Sequence, residues 1–124
     1  NHCFCCGEKN EKGLQLIYSY PEKGSAETEL KIPNYFTGWG SLTHGGFLAM
    51  LLDETMAHAC VSAKILSVTA ELNLRYLRPV EVGESIKVRG EIGEIKSRIV
   101  ETQGWIYNSN GEVAVKGKAR FLKS

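Results

Sequence analysis

A chain of 124 residues and 13.7 kDa fits one domain, residues 1–124, and is long enough to bury an ordinary core without metal or disulfide staples. Apolar residues make up 43% and charged residues 23%, which is globular composition and excludes a disordered segment. Lys+Arg number 15 against 14 Asp+Glu, a net charge of +1, so neither a general nucleic-acid surface nor an acidic tail is expected.

Cys3, Cys5 and Cys6 crowd the beginning of the chain, and Cys60 lies far away in an apolar stretch. Four cysteines are too few for a disulfide scaffold, and no signal-peptide pattern opens the sequence; both point to the reducing cytoplasm. From Leu14 to Tyr20 the even positions Leu14, Leu16, Tyr18 and Tyr20 are apolar or aromatic, a period of two that predicts a strand. Pro21 to Ser25 is turn chemistry, and Ala26, Thr28, Leu30 and Ile32 alternate after it to complete a hairpin that Pro33 stops. Leu42 to Ala63 breaks the pattern. It has no Lys, Arg or Pro, and its apolar residues cover nearly every side of a helical wheel, which predicts a buried helix. Asp53, Glu54 and His58 interrupt it well short of the roughly 20 apolar residues of a membrane span.

Further on, Val68, Ala70, Leu72, Leu74 and Tyr76 alternate with polar residues up to Pro79, and Ile86, Val88 and Ile92 do the same. The run Ile99 to Tyr107 is β-branched and aromatic, Asn110-Gly111 is a strong hairpin signal, and Val113 to Phe121 carries a last strand. About six antiparallel strands with one long helix make an α+β fold, the sheet wrapped around the helix.

Asp53 is the sharpest chemical signal. A carboxylate inside a buried helix costs several kcal/mol unless it is paired or functional, and no cation sits one turn away. It serves either as a catalytic group or at a water-lined edge. Gly45 and Gly46 open the helix, where free backbone N–H groups can hold a developing oxyanion; the alternative is a tight turn with close packing. His44, just before them, reads as a cap or a base. Glu54 and His58 are spaced to pair at i, i+4. A structural zinc site needs four ligands, usually as two spaced pairs. The cysteine cluster has no second C-x-x-C to match it, so no metal is expected there. Tyr35, Phe36 and Trp39 either line an apolar pocket or cover the end of the core.

His44-Gly45-Gly46 followed seven residues later by Asp53, within HGGFLAMLLDETM, resembles the hotdog-fold acyl-CoA thioesterases of the phenylacetate-pathway type. VTAELNLRYLRPV resembles that family's next strand, with N-x-x-Y-x-x-P falling at Asn73, Tyr76 and Pro79. The opening CFCCG..N..GLQL resembles a leader found in one branch of these proteins. The resemblance implies a hotdog fold, and a homodimer or a tetramer of dimers with active sites between subunits. It implies Asp53 as base or nucleophile, an oxyanion donor at Gly45 or Gly46, and a Thr69 hydroxyl that places water from the partner chain. Some relatives hold water with an Asn shortly before HGG, where this chain reads Phe36-Thr37-Gly38-Trp39-Gly40. Phe36, Trp39, Asn73 and Arg75 are the candidate substrate contacts, Arg75 being one of several cations available to CoA phosphates. No cofactor is expected, since a thioester is already an activated acyl group. The function expected is hydrolysis of an acyl-CoA or related thioester. A hydratase or dehydratase built on His44 and Asp53, and a non-catalytic acyl-CoA binding module, are the alternatives.

Overall fold

The computed structural model describes all 124 residues. The elements are β1 (Ser25–Lys31), α1 (Gly45–Ser62), β2 (Ser67–Tyr76), β3 (Ser85–Lys96), β4 (Ile99–Tyr107) and β5 (Val113–Lys123). The five strands form one antiparallel sheet in the order β1-β3-β4-β5-β2, which leaves β1 and β2 at the edges. Asn108 shapes the β4–β5 turn, its side-chain oxygen accepting from the N–H groups of Asn110 and Glu112, while Gly111 takes φ +80°. The helix lies on the inner face of the sheet, touching every strand, and Phe47, Leu48, Leu51, Leu52, Met56 and Cys60 are buried there. Burying each of the large residues contributes roughly 1.5–3 kcal/mol. This is the hotdog arrangement that the resemblance implied. No helix is long and apolar enough to cross a membrane.

A row of glycines sets how close the helix comes. Gly90, Gly104 and Gly117 stand side by side across β3, β4 and β5. A Cβ on Gly90 would lie 3.0 Å from the Thr55 carbonyl oxygen and 3.1 Å from the Met56 backbone; on Gly104 it would lie 2.9 Å from Leu52. Glycine inside a strand marks this kind of close approach.

Two expectations fail. There are five strands rather than six, because Leu14 to Tyr20 makes only a single bridge, Ser19 to Glu27. Gln15 at φ +53° breaks the extended chain. The segment bonds back to the leader instead, Leu14 N–H to Phe4 and Leu16 N–H to Cys5. Leu14, Leu16 and Tyr18 pack on the core without a ladder, while Tyr20 is exposed. The helix is also not buried all round: Met50, Asp53 and Ala57 are half-buried, and Val61 is exposed.

Candidate active site

The helix starts at a histidine cap. Nδ1 of His44 accepts the N–H of Gly46 at 2.9 Å, and the His44 carbonyl accepts from Phe47 and Leu48. A Cβ on Gly46 would lie 3.0 Å from that ring nitrogen, so glycine makes the cap possible. Of the first-turn N–H groups, which have no partner inside a helix, only that of Gly45 stays free. Tyr76 of β2 packs against Gly45 and its hydroxyl donates to the Gly45 carbonyl at 2.7 Å. A cleft of about 220 Å³ runs past this end of the helix, lined by Leu42, Thr43, Gly45, Leu48, Tyr76 and Val80. The Thr43 hydroxyl is buried there without a hydrogen-bond partner.

Asp53 faces β2. The Thr69 hydroxyl donates to its Oδ1 at 2.7 Å, and no Lys or Arg pairs with it. A β-bulge makes this contact. Strict alternation turns Ala70 inward and Thr69 outward, but the register shifts between Thr69 and Glu71, so Thr69 pairs with the inward-facing Phe121. Bulges re-aim side chains in this way beside functional groups. The contact lies within one chain. Gly45 and Asp53 lie eight residues apart on α1, roughly 12 Å at 1.5 Å per residue.

The remaining candidates scatter. Phe36 stacks on Phe47 with ring centres 4.0 Å apart and closes the core, whereas Trp39 is 87% exposed. Asn73 and Arg75 leave β2 on the outer face, in a groove of about 700 Å³ beside Trp105, Lys116 and Lys118, across the sheet from Asp53. Glu54 and His58 pair as their spacing predicts, with Nε2 to Oε2 at 3.3 Å. Their neighbours, however, are the leader: the Cys3 thiol donates to Glu54 Oε2 at 3.5 Å, and Cys6 joins the same group. Hydrogen bonds from His58, then Cys6 and Cys3, outweigh burial and hold the Glu54 carboxyl below its ordinary value. Burial, followed by the Glu54 charge, pushes the Cys5 thiol up to about 12. Counting ligands along the sequence missed this cluster, because its two halves lie 51 residues apart.

A profile of the thioesterase superfamily matches residues 40–115, more than half of the chain. The chain belongs to that superfamily. Acyl-coenzyme A thioesterase 13 of Mus musculus is 32% identical over 81 residues, 64% of this chain and 56% of that protein, so the chain spans little more than half of the relative's length. A thioesterase superfamily protein of known crystal structure superposes with a TM-score of 0.91 at 26% identity, covering 98% of this chain and 63% of the other. Two bacterial proteins share the fold at 18% identity with a TM-score of 0.83, each covering 88% of this chain. One is the E. coli PaaI protein from the phenylacetic acid degradation operon, 83% covered. The other is a hypothetical thioesterase of Streptococcus pneumoniae solved with coenzyme A, 85% covered.

Proposed function

We propose that this thioesterase superfamily member hydrolyses an acyl-CoA, or a related carrier thioester, to the free acid and thiol. The observation that carries the reading is the Asp53 carboxylate, fixed at 2.7 Å by Thr69 on a half-covered face of the helix whose first N–H is free. Asp53 takes a proton from water as that water attacks the thioester carbonyl carbon. The carbonyl oxygen becomes an oxyanion held by Gly45 N–H, aided by the helix dipole. The intermediate collapses with cleavage of the C–S bond, and the proton on Asp53 passes to the leaving thiolate. The mouse relative's name and the coenzyme A in the streptococcal structure support the substrate class.

One chain does not bring these groups together. A reacting carbon lies about 3 Å from both base and oxyanion donor, and roughly 12 Å of helix separates Asp53 from Gly45. The cleft of about 220 Å³ is also smaller than the 300–1,000 Å³ typical of small-molecule sites. The site is therefore completed by a second copy, with Asp53 of one protomer facing Gly45 of the other in a homodimer or a tetramer of dimers. The edge strand β2 supports this. Leu66, Val68, Leu72, Tyr76 and Leu77 are exposed along or beside it, and an apolar unpaired edge needs cover. The four free cysteines fit a reducing cytoplasmic setting.

Release of free thiol from a panel of acyl-CoAs, followed with a thiol reagent, tests the activity, and light scattering tests the assembly. Binding without turnover would favour the ligand-binding alternative, and a mass of one chain at micromolar concentration would refute the shared site. The hydratase alternative wants a histidine facing the carboxylate, and His44 uses Nδ1 to cap the same helix nine residues before Asp53.

A further inference from the structure

The leader folds into a tight knuckle. Gly7 N–H donates to the Cys3 carbonyl at 2.9 Å, and a Cβ on Gly7 would stand 2.3 Å from the Cys3 nitrogen, so only glycine closes this turn. Cys3 and Cys6 occupy the ends of a C-x-x-C run with that glycine directly after it, the spacing at which one short segment supplies two ligands to a metal. Cys5 turns away from the pair and is buried in the core. The knuckle sits over the middle of α1, where Glu54 and His58 rise one turn apart.

Three of the four donor atoms already stand close enough to share an ion. Cys3 Sγ, Cys6 Sγ and a Glu54 carboxylate oxygen all lie within 4.8 Å of one another. Zinc bonds of about 2.3 Å to sulfur and 2.0–2.1 Å to oxygen or nitrogen give tetrahedral edges of about 3.5 Å for S–O and about 3.3 Å for O–N. Cys3 Sγ stands 3.5 Å from Glu54 Oε2, and His58 Nε2 stands 3.3 Å from the same oxygen but outside the cluster of three, so its ring closes toward the sulfurs as the ion binds. From this geometry we propose that Cys3, Cys6, Glu54 and His58 hold one zinc ion per chain, a clip that fastens the leader to the central helix.

The surroundings support the ligand roles. The Tyr20 hydroxyl lies 2.9 Å from His58 Nδ1, and the ring of Tyr18 stacks on the imidazole at 3.9 Å. With Nε2 on the metal, Nδ1–H donates to Tyr20, the kind of outer contact that fixes a ligating histidine. Two thiolates select a soft ion such as zinc over magnesium or calcium. Both thiol protons leave as a divalent cation binds. The proposal does not rest on the thioesterase reading, because Asp53 points to β2 and none of the four ligands touches it.

The test uses the full chain, purified under reducing conditions, incubated with zinc chloride, desalted and measured for metal. About one zinc per chain is expected, with less than a tenth of that in the Cys3→Ser/Cys6→Ser variant. Glu54→Gln and His58→Ala should each weaken zinc binding by tenfold or more. The cobalt form should show the intense thiolate charge-transfer absorption of a sulfur-ligated tetrahedral ion. Should the double serine variant fold poorly, the wild-type chain still decides, because zinc should shield two of the four thiols from a thiol reagent and a chelator should expose them again. No retained zinc, equal retention by a folded double serine variant, a Cys3–Cys6 disulfide formed in place of metal, or thiol reactivity indifferent to zinc would each overturn the proposal.

Discussion

Replacing Asp53 with Asn exchanges one oxygen for an amide of the same shape. The Thr69 hydroxyl donates to Oδ1 at 2.7 Å, and an amide oxygen accepts in the same place, so the geometry survives while the base is lost. General-base help accounts for about 10²–10⁴ in rate, or roughly 3–5 kcal/mol of barrier. Asp53→Asn should therefore lower kcat at least 10²-fold and leave KM nearly unchanged, since no acyl-binding surface is altered. Its melting temperature should hold or rise, because a carboxylate without a cationic partner has been removed. Thr69→Val is the companion. A hydrogen bond to a charged group is worth about 1.5–3 kcal/mol, so losing it should slow kcat roughly tenfold or more, with Thr69→Ser restoring most of the rate. Steady-state thiol release and thermal melts read both variants. If folded Asp53→Asn turns over acyl-CoA within about threefold of the wild-type rate, the role given to this carboxylate is wrong.

The glycine row predicts that Gly90→Ala forces a methyl against the helix backbone, at 3.0–3.1 Å from Thr55 and Met56. A cost of about 1–3 kcal/mol for overpacking should lower the melting temperature on the order of 5–15 °C, and an unchanged melt would show that the helix sits farther off. Leu72→Glu places a charge on the exposed edge of β2 and should give monomers without thioesterase activity; an active dimer by light scattering would exclude this edge as the interface. On the opposite edge, Arg89 lies 2.6 Å from Glu27, with Lys87 nearby. Burial raises the Glu27 carboxyl, but Arg89 and Lys87 together draw it below its ordinary 4.5. The folded state thus prefers the ionised form, and that stability is present above 4.5 and lost as pH falls below it. Between about pH 4.5 and 3 the wild-type melting temperature should fall more steeply than that of Glu27→Gln, and parallel slopes would refute the pairing.

Most of the fold is legible because apolar periodicity reports burial, and burial decides the elements. Ile86 to Ile92, Ile99 to Tyr107 and Val113 to Phe121 alternate cleanly, and all three are central strands whose inner face meets the helix. The same rule misleads at Leu14 to Tyr20. There the alternation is real but reports packing on the core, and the backbone is taken by the leader rather than by a neighbouring strand. Gly90 and Gly104 are visible in the sequence as interruptions of two good strands. Their meaning needs the register that sets them side by side beneath Leu52, Thr55 and Met56.

The site was legible in its residue types and not in its partners. Asp53 and Glu54 read together as one polar break in an apolar helix, yet adjacent helical positions point about 100° apart. The difference in direction separates two chemistries. Asp53 meets the edge strand, where a one-residue bulge turns Thr69 inward against the alternation on either side. Glu54 meets the leader, where two thiols arrive from 51 and 48 residues away in the sequence. Neither arrangement leaves a periodic trace, since both depend on where distant backbone happens to pass. On this reading the helix carries one polar group toward a second copy of the chain and one toward the chain's own beginning. Disrupting the cysteine knuckle should then loosen the leader while Asp53 and Thr69 keep their contact, so metal loss and loss of hydrolysis should be separable in the same protein.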